Sequence, residues 1–214
     1  PVETAENAEV MEKKAEIIYP SSDGEPVAET YDHFYAIITV LEVLKQYLKE
    51  AQATVLANQF LYYSEGFPRL RVAPDVMVIW GVERGGRDNY KIWEEGEVPG
   101  VIFEMTSPGT RNQDLEFKKT LYEQLGVREY WLFDPKGEGI PEKLKGYRLR
   151  GEEYEEMTES RSELLGLRLV VEEKLIVFYR EDNGQKLLIP DELVSALEQE
   201  SLARQAAEER AKEE

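Results

Sequence analysis

Two acids and a lysine are the residues of this 214-residue chain best equipped for chemistry. Asp75 follows Pro74, Glu104 sits among Val101, Ile102, Phe103 and Met105, and Lys118 lies in the amphipathic stretch that comes next. Two convergent carboxylates, a backbone carbonyl and waters suffice to hold a hard divalent cation. Such a cation can hold a phosphodiester, activate water and neutralise the leaving oxygen. An ammonium beside it can orient that water or offset charge in the transition state. As bare spacing this is a weak signal, and each residue has a structural reading too. Asp75 can mark a sheet edge, Glu104 can pair with an arginine, and Asp114 with Lys118 can form an exposed helical ion pair worth about 0.3 to 0.5 kcal/mol.

The elements that must position these groups are legible as periodicities. Val101 to Met105 is an apolar strand with one carboxylate inside it, costly unless a cation or donors meet Glu104. Ser107-Pro108-Gly109-Thr110 breaks that strand, and Asp114, Lys118 and Tyr122 then recur at four-residue steps, which stacks them on one helix face. Gly126 stops the helix, and Arg128 to Asp134 is a nearly continuous apolar strand closed by Pro135. Strand, helix, strand with a short turn predicts a parallel pair joined by a crossover.

Upstream, Thr30 caps a predicted helix ending near Lys49, with Phe34, Ile37, Ile38, Leu41, Leu44 and Leu48 along its buried stripe. His33 reads as a polar residue of its first turn and Glu42 as a solvated flank; neither is placed in the site. Thr54 to Tyr63 and Arg69 to Trp80 read as two strands of a hairpin or meander, with Ala73, Asp75, Met77 and Ile79 on one face. Residues 81–99 form a long connection carrying Tyr90, Ile92 and Trp93, either a flap over a cleft or a packed excursion. Beyond Pro135, Tyr147 to Leu149, Leu164 to Val171, Lys174 to Tyr179 and Leu187 to Ile189 read as short strands. Residues 191–214 are helix formers, opening at Asp191 and carrying a thin stripe of Leu193, Leu197 and Leu202 that would pack weakly or meet a partner helix.

Composition bounds the chemistry. The chain has no cysteine and one histidine, so thiolate sites are excluded and a metal is expected to take oxygen ligands. The amino terminus has no basic start followed by an apolar stretch, and no apolar run is long enough to span a bilayer, which predicts a cytoplasmic protein that does not enter membranes. A formal charge of −18 opposes broad, charge-driven nucleic-acid binding. Yet Arg69, Arg71, Arg84, Arg87, Lys91, Arg111, Lys118 and Lys119 gather in sequence around the central stretch, so the local potential can differ from the global sign.

Taken together, Pro74-Asp75, Phe103-Glu104-Met105-Thr106-Ser107-Pro108, Thr110-Arg111, Asp114, Lys118, Tyr122 and Gly126 to Pro135 resemble the Uma-two family of restriction-endonuclease-like proteins, placed in the PD-(D/E)XK nuclease superfamily. The likeness runs from about Tyr19 to Pro190. It implies that Asp75 and Glu104 are the two acids of the superfamily motif, that the backbone carbonyl of Met105 joins them at a Mg²⁺ or Mn²⁺ ion, and that DNA is the substrate. The third position of the motif, usually lysine, falls on Thr106, and Lys118 is the lysine the family carries one helix later. The expected architecture is an α/β, restriction-endonuclease-like mixed sheet core in the order α-β-β-β-α-β, with a C-terminal β extension and a terminal helix. Its expected divisions are an acidic arm over 1–18, the domain over 19–190 and an acidic helix over 191–214. The expected function is a metal-dependent endonuclease with Asp75, Glu104 and Lys118 as its catalytic residues, acting as a homodimer if it cuts both strands. The rivals are a catalytically silent nuclease fold that binds protein partners, and a structural ion-pair network closed around Glu104 and Lys118.

Overall fold

The computed structural model describes residues 16–25 and 29–213. Most of the acidic arm expected over 1–18 therefore lies outside the described residues; Glu16, Ile17 and Ile18 are exposed.

The helix expected after Thr30 is α1 (Tyr31–Tyr47). Its three- and four-residue repeat buries Ile37, Val40, Val43 and Leu44. The two expected meander strands are each divided. Residues 54–63 split into β1 (Ala53–Ala57) and β2 (Leu61–Tyr62), because Asn58 takes a left-handed φ of 51° and breaks the strand. Residues 69–80 split into β3 (Arg71–Val72) and β4 (Val76–Trp80). The connection 81–99 is a packed excursion: it contributes β5 (Tyr90–Lys91), parallel to β2, and the short α2 (Ile92–Glu95). Tyr90 is fully buried and donates to the Glu97 carbonyl at 2.7 Å, and Arg87 Nε is 2.8 Å from Glu95 Oε1.

Strand β6 (Val101–Met105) is followed by a π-helical turn (Gln113–Lys118) running into α3 (Lys119–Leu125), where one regular helix was expected. Gly126, at φ 83°, ends it in the left-handed conformation that favours glycine. Then β7 (Glu129–Phe133) returns parallel to β6, as the crossover reading predicted. The chain continues through β8 (Leu144–Arg150), β9 (Glu153–Glu156), β10 (Arg161–Ser162), β11 (Leu167–Glu172), β12 (Leu175–Arg180) and α4 (Pro190–Glu213).

The main sheet is mixed, in the order β1-β4-β6-β7-β8-β9, with β6 and β7 its parallel pair. The expected order α-β-β-β-α-β is therefore present as α1, β1, β4, β6, α3 and β7. The β extension divides: β8 and β9 lengthen the main sheet, whereas β10, β11 and β12 form a separate antiparallel sheet. Residues 187–189, expected as a strand, form none; one isolated bridge joins Tyr179 to Lys186. Period two assigns the faces of the main sheet. Val101, Phe103 and Met105 join α1 together with Leu167, Leu169 and Phe178 of the second sheet, while Ile102, Tyr130 and Leu132 meet Leu121 and Tyr122 of α3. Helix α4 leaves Leu197 and Leu202 exposed, and among the described residues no helix is long and apolar enough to cross a membrane.

Gly146 on β8 sits opposite Trp131 on β7, and a Cβ added there would lie 2.5 Å from the indole ring. Gly146→Ala must displace a fully buried Trp131 and is expected to cost about 1–3 kcal/mol. Urea denaturation at unchanged m-value checks this.

Candidate active site

The register of β4 and β6 brings the two acids together. The strands are antiparallel with Val76 opposite Phe103, so the next step along the ladder sets Asp75 alongside Glu104. Glu104 shares its face with Ile102, the face covered by the helix that carries Lys118 and Tyr122. Here the stacking of Asp114, Lys118 and Tyr122 takes effect. Lys118 Nζ donates to Glu104 Oε2 at 2.8 Å, Tyr122 Oη donates to Glu104 Oε1 at 2.7 Å, and Asp114 Oδ1 lies 3.1 Å from the same ammonium. Glu104 is 1% exposed and the Lys118 side chain 14%. Asp114 Oδ1 is buried without an aligned hydrogen-bond donor among the described residues, so its contact with Lys118 is one of charge.

Asp75 is oriented by backbone. Its Oδ2 accepts the Met105 N–H at 2.6 Å, tying the acid of one strand to the residue after the acid of the other. His33 Nε2 stands 3.8 Å from Asp75 Oδ2 and 3.5 Å from Glu29 Oε2. These groups line a cleft of about 370 Å³ formed by Glu29, Thr30, His33, Asp75, Glu104, Met105, Ser107, Thr110, Asp114 and Lys118. No residue of 81–99 lines it, so that connection is not its flap. Larger hollows lie elsewhere; the one of about 640 Å³ is lined by Arg148, Arg150 and Arg161 among acids that already pair with them.

Residues 5–188 match the family described as "Putative restriction endonuclease", Uma2. The chain belongs to the Uma2 family. A comparison with curated proteins finds no match. Among solved structures, the chain is similar to one described as "a putative nuclease belonging to DUF820" from Anabaena variabilis ATCC 29413, at 17% identity and a TM-score of 0.47, covering 69% of this chain and 74% of that one.

The Uma2 chain thus brings Asp75, Glu104, Met105 and Lys118 to one cleft, and adds Glu29, His33 and Asp114. The sequence reading did not single out Glu29 and took His33 as an ordinary polar residue of the first turn, because a loop acid and a first-turn histidine carry no local signal of a site; only the packing of α1 against the sheet end places them here. Glu42, by contrast, is exposed and pairs with Lys45 at 2.9 Å. The basic residues clustered in sequence disperse in space. Arg71 lies over Phe60, Arg84 donates to the Ala51 carbonyl, Lys91 pairs with Glu94 and Lys119 lies over Tyr147. Of the eight, Lys118 alone lines the cleft. Thr106, at the motif's usual lysine position, is 2% exposed, and its Oγ1 has no hydrogen-bond partner among the described residues.

Among the described residues, four carboxyl groups, those of Glu29, Asp75, Glu104 and Asp114, line the cleft with one ammonium, that of Lys118. A donor set so rich in oxygen and so short of positive charge fits a hard divalent cation. Both oxygens of Glu104 already accept a hydrogen bond, but a carboxylate offers about four lone-pair sites, so acceptor capacity remains. Burial pushes Glu104 up to about 8 and Asp75 up to about 6, with Lys118 opposing both. Burial pulls Lys118 down, but the carboxylates of Glu104 and Asp114 outweigh it and hold its pKa above the ordinary value. Lys118 is therefore an ammonium across the working pH range, fit to donate and unfit to act as a base.

These shifts have a signed consequence. Carboxyls whose folded pKa lies above the unfolded value make the folded state bind more protons than the unfolded chain between the two. Their contribution to stability is complete below about pH 4 and is lost as pH rises through about 6 and then about 8. The melting temperature of the metal-free protein is expected to fall more steeply between pH 5 and 8.5 in wild type than in Glu104→Gln. Equal slopes would remove Glu104 as the source.

Proposed function

We propose that this Uma2 protein is a Mg²⁺- or Mn²⁺-dependent endonuclease that hydrolyses DNA phosphodiester bonds. The observation that carries the reading is the register that sets Asp75 beside Glu104, with Lys118 held on Glu104 at the wall of an open cleft. A structural ion pair would account for Glu104 and Lys118, but not for a second, backbone-oriented acid at the same opening. Asp75, Glu104 and the Met105 carbonyl would hold the cation, which supplies charge neutralisation at the phosphate and a more acidic water. The chain's own residues do the rest. Tyr122 and Lys118 fix both oxygens of Glu104, and the Met105 N–H fixes one oxygen of Asp75. The Lys118 ammonium, at the cleft wall, orients the attacking water or offsets charge on the phosphoryl oxygens.

A second reading has its own support: Thr106 at the motif's lysine position and a cleft whose described lining holds one lysine and no arginine both suit a catalytically silent binding module. The deciding experiment incubates plasmid and single-stranded DNA with wild type and Asp75→Asn, in Mg²⁺ and in Mn²⁺. Metal-dependent cutting that Asp75→Asn loses supports the nuclease. An inert wild type that also shows no heat of metal binding supports the silent module.

A further inference from the structure

The imidazole of His33 sits between two carboxylate oxygens and is well bonded to neither. Its separations of 3.5 Å to Glu29 Oε2 and 3.8 Å to Asp75 Oδ2 exceed the ordinary hydrogen-bond range. One ligand atom from each of Glu29, His33 and Asp75 nevertheless lies within 4.8 Å of the others. Two anions and a ring nitrogen at that spacing surround a gap, where hydrogen-bonded partners would close on one another. A second feature stands beside His33: a hollow of about 220 Å³ lined by Thr30, His33, Ser107 and Thr106, the last being the buried threonine whose Oγ1 lacks a partner.

We propose that Glu29, His33 and Asp75 form a mixed nitrogen and oxygen site for a divalent transition-metal ion, on the α1 side of the cleft and apart from the pair of Glu104 with Lys118. This rests on the functional reading above only in sharing Asp75. The chemistry separates it from an all-oxygen site. Magnesium takes oxygen ligands and dehydrates reluctantly. An imidazole nitrogen suits later first-row ions, whose affinities rise from Mn²⁺ through Co²⁺ to Ni²⁺. His33 is thus the specificity-determining ligand: it tilts the cleft from Mg²⁺ toward Co²⁺ and Ni²⁺, with Mn²⁺ between. The placement has a folding logic. Glu29 immediately precedes the Thr30 cap and His33 lies in the first turn, so the start of α1 carries both ligands as one unit against Asp75.

The chain has a single histidine, so its ring protons are an unambiguous reporter. The test titrates the full chain with Co²⁺ and with Mg²⁺ by calorimetry, following the His33 ring signals by proton NMR. It uses wild type, His33→Gln, Glu29→Gln and Glu104→Gln. The proposal expects Co²⁺ to move the ring signals far outside the diamagnetic range. It also expects His33→Gln to weaken Co²⁺ about tenfold or more while Mg²⁺ affinity changes less than about twofold, since a disturbed metal shell costs about 10- to 100-fold. Glu29→Gln should weaken Co²⁺ in the same direction. Unchanged Co²⁺ affinity in His33→Gln, or equal losses for both ions, overturns it. The outcomes also separate this proposal from the nuclease reading. A Co²⁺ signature that survives in Glu104→Gln, with a wild type that cuts no DNA, keeps the site and sinks the nuclease. DNA cutting by wild type that Asp75→Asn and Glu104→Gln lose, with Co²⁺ affinity unchanged in His33→Gln, does the reverse.

Discussion

Replacing Lys118 by methionine is expected to cost about 3–5 kcal/mol of stability at pH 8, out of a total that for most domains is about 5–15 kcal/mol. The substitution keeps the length of the buried stem and removes the charge. It leaves Glu104, 1% exposed, and Asp114, 2% exposed, without their shared ammonium. Breaking one side of a buried ion pair is expensive because an uncompensated charge stays behind. The pH dependence identifies the cause. Lys118 is the main influence holding both Asp75, at about 6, and Glu104, at about 8, down against burial, so without it both carboxyls titrate higher still and the variant's folded state keeps protons that wild type releases between pH 5 and pH 8. A neutral carboxyl costs less to bury, so the stability gap between Lys118→Met and wild type should shrink toward acid pH. Denaturant unfolding at pH 5 and pH 8 measures this. A gap of equal size at both would mean that lost packing explains the effect.

The second large effect is on chemistry. Glu104→Gln is expected to lower metal-dependent cleavage by about 10²- to 10³-fold, the scale of removing one preorganised charge-stabilising group. The amide keeps the shape of the side chain and one acceptor oxygen for Tyr122, but it turns an NH₂ toward the Lys118 ammonium, where two donors now face each other. Metal affinity should fall together with rate, since the charge that attracts the cation is gone. The measurement is a paired one: plasmid nicking over a Mg²⁺ titration, and calorimetry on the same preparation. Loss of rate with metal affinity intact would move Glu104 from ligand to orienting residue. Retention of both would leave the Glu104 cluster a structural device and return function to Asp75 and its neighbours.

Much of the central frame was readable from local pattern. The boundaries of β6 follow from the apolar run Val101 to Met105 and its Ser107-Pro108 break, and those of β7 from the run before Pro135. Gly126 marks the helix end because a left-handed residue there is cheap only for glycine. The breaks inside the two meander strands were not readable, because Asn58 in a left-handed turn looks like any polar residue between β-formers. Nor was the π-helical turn before α3, since Asp114, Lys118 and Tyr122 keep the four-residue spacing of an ordinary helix.

The sequence by itself determined the types of the central groups and the element each rides on: Glu104 inside a buried strand, Asp75 within the second meander run, Lys118 on the following helix. It also determined that Glu104 needed a partner, because the cost of burying a carboxylate is a property of the residue and its apolar neighbours. Which partner met it was decided only by the tertiary structure. The antiparallel register of β4 with β6 set Asp75 against Glu104, the crossover laid Lys118 and Tyr122 over it, and the packing of α1 brought Glu29 and His33 to the same opening. The same step dispersed the basic residues that the sequence had gathered, since neighbours along a chain point wherever their strand or turn directs them. Local propensity acts over a few residues, while a cleft is built from groups that meet only when sheets and helices pack, so its full membership was settled by the fold.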